Sequence, residues 1–183
     1  MKIFTVDAPC IIKKFASHKE HRNNAIEAIG FDMSKRRLTS ETMNILSDWD
    51  SNTTAKKLYW KYLEKDIHKH MASVLIDDFG YNKILFSNYW YQQYVKGGKH
   101  GWHVHAKTMF TSVYYLEYPE GSPQTEFMNI ITKETFAIDS EEGDILTFPS
   151  FIIHRAKENN TENRKTILSW HNEAVYDKSV NYG

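Results

Sequence analysis

The chain has 183 residues, 41% of them hydrophobic and 25% charged, a globular composition that excludes wholesale disorder. Lys plus Arg and Asp plus Glu each number 23. With zero net charge, no long-range field recruits nucleic acid or a membrane surface. The single cysteine, Cys10, excludes an internal disulfide framework and fits a reducing compartment.

The opening stretch has only short apolar runs, broken by Asp7, Lys13 and Lys14, so neither a signal peptide nor a membrane span is expected. A short strand is predicted at Lys2–Val6 and an extended piece at Ile11–Phe15. A helix follows over Ser17–Ile29, ending at Gly30. A longer helix spans about Thr54 to Asp78, where Leu58, Tyr62, Leu63, Ile67, Met71 and Val74 form one apolar stripe. Asn52 or Thr53 could cap its start and Gly80 could stop it. From Lys83 onward the chain changes to short aromatic and β-branched runs separated by turn signals, the pattern of a sandwich or barrel. The reading is a single domain over 1–183, mainly β, with residues 1–82 as helical support and 83–175 as the β core. The helices lack the apolar surface for a core of their own and are expected to buttress the sheet.

Of nine histidines, His103 and His105 form His-x-His in a predicted strand, where alternate side chains share a face. Alone, that pair is equally compatible with solvated loop residues. His68 and His70 diverge on a helix and read as surface. The first pair gains weight from His154, which ends the apolar run Ile145–Ile153 and puts a third imidazole at a strand end. Ten residues further, Arg164 opens a strand with Thr166, Leu168 and Trp170 on its face by alternation. An Arg facing a barrel interior needs an anion. No nearby acid alternates inward, so a small carboxylate gripped bidentately is the economical partner. The alternative places Arg164 at an exposed strand start.

The series W-H-V-H, T-S-V-Y-Y-L, E-G-D-I-L-T-F-P-S-F-I-I-H and N-R-K-T-I-L-S-W-H resembles the iron(II)- and 2-oxoglutarate-dependent oxygenases. The likeness covers about Phe86–Asn172 and is nearest the small phage and bacterial branch related to prolyl hydroxylases. It implies a double-stranded β-helix (a cupin-like jelly roll) with N-terminal helices packed on one sheet. Carried over by position, His103 and His154 would be metal ligands. Arg164, assisted by Thr166 and Tyr115, would bind the far carboxylate of 2-oxoglutarate. His105 stands where the usual triad has Asp or Glu. That branch of the family tends to carry histidine there, and a three-imidazole face suits Fe(II) but also Zn or Ni.

The resemblance implies a dioxygenase, specifically a hydroxylase, using Fe(II), 2-oxoglutarate and oxygen on an unidentified substrate, with release of succinate and CO2. A three-histidine zinc hydrolase or lyase is the alternative enzyme, and a non-catalytic cupin-like binding module the alternative of another class. The Lys96–Gly101 loop and the Pro119–Gln124 turn are expected beside the metal strands as glycine-bearing lids. The expected location is the cytosol of a bacterium or its phage, and a homodimer stays open.

Overall fold

The computed structural model describes residues 2, 8–37, 42–49 and 57–175. The strand expected at Lys2–Val6 and the caps expected at Asn52 and Thr53 lie outside the described residues.

Both helices form where their apolar positions recur on one side. Helix α1, His18–Ile29, buries Ala25 and Ile29 and stops at Gly30, whose φ of 65° suits glycine. Helix α2, Trp60–Ala72, buries Trp60, Leu63, Ile67 and Met71. It runs on into a widened π turn over Ser73–Asp78 that buries Val74 and Leu75. Gly80 (φ 73°) ends that segment as its N–H donates to the Ile76 carbonyl at 2.8 Å.

The strands are β1 (Ile11–Lys14), β2 (Arg36–Arg37), β3 (Thr42–Ser47), β4 (Lys83–His103), β5 (Phe110–Glu117), β6 (Thr125–Met128), β7 (Thr135–Ala137), β8 (Asp144–Pro149), β9 (Ile153–Ala156) and β10 (Lys165–Val175). All pairings are antiparallel, in the order β1-β8-β5-β10-β4-β9-β6-β7, with β3 also on β4 and β2 outside it. The 21-residue β4 joins the two halves. Its first part pairs with β10, its middle with β3, and its last residues with β9. The sheet therefore curls into the jelly roll expected from the sequence.

Lys96–Gly101, expected as a loop, is instead part of β4. Gly97 adopts φ 77°, and its N–H donates to the Asn159 carbonyl at 2.7 Å, while the Gly98 carbonyl accepts from Asn159 N–H at 2.9 Å. The glycines thus let one strand change partners without breaking, the role of an irregularity in a curling sheet.

Alternation along the strands separates two cores. On the helix side, Leu63, Ile67 and Met71 pack with Tyr114, Leu168 and Trp170. On the inner side, Tyr94, Val113, Tyr115, Phe127, Phe148 and Ile167 cluster. The helices buttress the sheet, as their composition required. His70 departs from its surface reading: it is half-buried with its ring edge-on to Phe15 at 5.9 Å, while His68 stacks on Phe86.

A Cβ on Gly98 would sit 2.7 Å from the Val95 carbonyl oxygen and 2.8 Å from that of Asn44, both backbone atoms. Gly98→Ala should therefore cost about 2 kcal/mol of stability, read as a lower urea midpoint. An unchanged midpoint would contradict this close approach.

Candidate metal centre

His103 ends β4 and His154 lies opposite it on β9 as its cross-strand partner. His105 follows two residues after His103, anchored where its N–H donates to the Ser150 carbonyl at 3.0 Å. One nitrogen from each of the three rings falls within 4.8 Å of the others. Ring centroids are separated by 4.2 Å (His103 to His154) and 5.1 Å for each pair involving His105.

Two of the rings are oriented from behind. His103 Nδ1 lies 2.8 Å from the Gly101 carbonyl and His154 Nδ1 lies 2.9 Å from the Ile152 carbonyl. A carbonyl can only accept, so both rings carry their proton on Nδ1, which makes Nε2 the nitrogen that a metal would take. His154 is buried, with Phe148 edge-on at 4.6 Å. Burial, then the neighbouring His103, lowers its pKa to about 3. Burial, then His154 and His103, lowers that of His105 to about 2. These two imidazoles are neutral donors over the physiological range, the state a divalent cation requires. The residues fit the group: three imidazole nitrogen donors on one face suit a late divalent ion, Fe(II) included.

The histidines form one end of a cavity of about 450 Å³ lined also by Trp49, Trp90, Gln92, Tyr94, Thr125, Arg155, Lys165 and Ser169. Among the described residues, no Asp or Glu lines it. Lys165 is 1% exposed, and its Nζ donates to the Pro123 carbonyl at 2.7 Å. The rings of Tyr118, Tyr94 and Tyr115 surround it, with centroids at 5.0, 5.4 and 5.5 Å. Burial alone lowers its pKa to about 7.

The other sequence-predicted residues divide across the sheet. Tyr115 is fully buried on the inner side, its hydroxyl 2.8 Å from Thr125 Oγ1. Arg164 is absent from the cavity lining. Its guanidinium grips Glu117 through Nε at 2.8 Å and Nη2 at 3.1 Å, with Phe31 over it. Thr166 donates to the same carboxylate at 2.7 Å. The expectation that no acid serves Arg164 is corrected here, and the cause is a bulge. Ile167 pairs with Tyr115, but Thr166 pairs with Glu117, so Leu116 is the extra residue. That one-residue slip turns Glu117 to the helix side beside Arg164 and Thr166. The inner face of β10 is the odd-numbered one: Lys165, Ile167 and Ser169.

Several site residues escaped the sequence reading. Lys165 was legible as the residue of opposite parity to Arg164. His100 stacks on His103 with centroids 3.8 Å apart, hidden because its segment reads as a turn. His171 continues the odd face of β10, 4.9 Å from His105 and 5.0 Å from Trp90, and its buried Nε2 has no hydrogen-bond partner.

Residues 88–170 match the model of a family of putative 2OG-Fe(II) oxygenases. A search of curated protein sequences finds no match. Among solved structures, the fold is similar to a viral collagen prolyl hydroxylase of Paramecium bursaria Chlorella virus-1 in its 2OG complex. There the identity is 17%, coverage 91% of this chain and 96% of that one, and the TM-score 0.61. A Pseudomonas putida prolyl-4-hydroxylase is similar at 13% identity, 90% and 92% coverage and a TM-score of 0.61. SnoN, a non-heme alpha-ketoglutarate-dependent epimerase from nogalamycin biosynthesis, reaches a TM-score of 0.66 at 12% identity, over 89% and 76% of the two chains. The family match thus covers the site strands, and the solved structures share this jelly-roll fold. The family implies Fe(II) and 2-oxoglutarate as cofactor and cosubstrate. Among the described residues, no helix is long and apolar enough to cross a membrane.

Because Lys165 titrates near 7 when folded against an ordinary 10.5, the unfolded chain binds more protons between those values. Its contribution to stability therefore rises with pH from about 7 to 10.5. Denaturation of the unliganded protein at pH 6 and 9 should show that rise, and Lys165→Met should flatten it. An equal slope in the variant would contradict a buried, unpaired amine.

Proposed function

We propose that this chain is an iron(II)- and 2-oxoglutarate-dependent dioxygenase that hydroxylates a prime substrate as 2-oxoglutarate leaves as succinate and CO2. The observation that carries the reading is the pairing of a three-imidazole cluster with one buried amine in a single cavity that no described carboxylate lines. His103, His105 and His154 would hold the metal. When bound, the iron supplies the oxygen chemistry and the 2-oxo acid the electrons, while the protein supplies orientation and a dry, shaped cavity.

In this reading Lys165, rather than Arg164, binds the distal carboxylate of 2-oxoglutarate. Thr125 and Tyr115 support that end of the cavity, their hydroxyls bonded to each other. Arg164 and Thr166 keep a structural task on Glu117. Trp49 and Val104, 43% and 50% exposed, line the solvent side where a prime substrate would enter. The mutual edge-on packing of Trp49 and Trp90 (4.3 Å) stiffens that wall. A zinc hydrolase would use the three histidines equally but leaves the buried amine without a task.

The test is 2-oxoglutarate binding to anaerobic, Fe(II)-loaded protein, followed by succinate formation in air. Lys165→Met should weaken binding at least about 100-fold, the loss of a buried charge-assisted contact. Arg164→Ala should keep binding within about threefold while lowering stability. Strong loss in Arg164→Ala with none in Lys165→Met would overturn the assignment. Absence of binding and succinate in the wild type would overturn the function.

A further inference from the structure

Among the described residues, Lys165 is a cavity-lining lysine buried with a carbonyl oxygen as its hydrogen-bond acceptor and no carboxylate in contact. Every element packed around it contributes groups that cannot balance a cation. From β4 comes Tyr94, from β5 Tyr115, and from the turn after it Tyr118; burial raises the pKa of all three, so they are neutral. The turn before β6 offers the Pro123 carbonyl. The acids on adjoining strands are engaged elsewhere. Glu117 is held by Arg164 and Thr166, Glu126 by Arg155 and Lys157, and Asp144 by Lys14 at 2.8 Å. The same cavity holds the imidazoles of His103, His105 and His154 and the guanidinium of Arg155, which Glu126 engages. An ammonium group so placed sets only a carbonyl dipole and three tyrosine ring faces against its desolvation, with no described carboxylate in contact, and the neutral amine is favoured.

A dicarboxylic 2-oxo acid changes that balance. It is a dianion near neutral pH, and one carboxylate reaching this end supplies the missing countercharge. We infer that 2-oxoglutarate enters this cavity together with one proton, which Lys165 Nζ takes from solvent to become the ammonium partner of the distal carboxylate. No bond in the ligand forms or breaks; the proton moves from buffer to the nitrogen lone pair. The inference rests on the reading of Lys165 given under the proposed function and adds that its charge arrives with the ligand. Cosubstrate affinity is thereby coupled to pH through a residue other than the three proposed metal ligands.

With the amine titrating near 7 in the unliganded protein, uptake is about 0.9 proton at pH 8 and about 0.1 at pH 6. The apparent Kd then rises about tenfold per pH unit above 7. The experiment is calorimetric titration of 2-oxoglutarate into anaerobic Mn(II)-loaded protein at both pH values, in phosphate and in Tris. The dependence of the observed heat on buffer ionisation enthalpy counts the protons. Lys165→Arg, whose guanidinium stays protonated, should bind without uptake at pH 8. As a measurement needing no variant, the Lys165 13Cε resonance should titrate near 7 alone and move above about 9 with 2-oxoglutarate. Binding at pH 8 with no proton uptake, or a free midpoint near 10.5, overturns the inference and leaves the proposed function standing. No binding of 2-oxoglutarate by the wild type overturns both.

Discussion

The structure depends on one cross-strand contact, His103 of β4 against His154 of β9. It exists because a single long strand serves both halves of the curled sheet. Gly97 and Gly98 allow the change of partners, and Asn159 fastens them by backbone bonds in both directions. Once His103 and His154 are opposed, each ring is fixed by a carbonyl two residues before it. Both Nε2 lone pairs then point where one ion can meet them, and His105 needs only to follow along the same segment.

The second constraint is the bulge at Leu116. It divides β10 into two chemically different faces across a sheet one residue thick. The even face is closed: Arg164 and Thr166 satisfy Glu117, and Leu168 and Trp170 fill the helix-side core. The odd face is open, and it presents Lys165, Ile167 and Ser169 to the cavity. A cavity lined by Arg155, a protonatable Lys165 and several imidazoles, with no carboxylate among its described lining residues, suits anionic ligands. A metal held by three histidines would strengthen that preference by one unit of charge relative to a two-histidine, one-carboxylate face.

Much of this was legible in the sequence. The helix stripes, the change to β at Lys83 and the convergence of three histidines each follow from periodicity and spacing. The β4 strand was misread because Lys96–Gly101 has the composition of a turn, while the glycines there serve a close backbone approach. Alternation groups Arg164 with Thr166 but does not say which face of β10 lines the cavity, and a bulge has no signature in a run such as Val113–Glu117. Glu117 then seemed out of reach. The roles of His100 and His171 could not be read for a related reason: each depends on which face its strand turns inward, and both strands are irregular near that point.

The most direct test of the metal-binding cluster is X-ray absorption on protein loaded with one equivalent of Zn(II) or Fe(II). The expected result is three imidazole donors at about 2.0–2.2 Å, falling to two with an added oxygen ligand in His105→Asp. Two or fewer imidazoles in the wild type, or a spectrum unchanged by that substitution, would contradict a centre built from His103, His105 and His154.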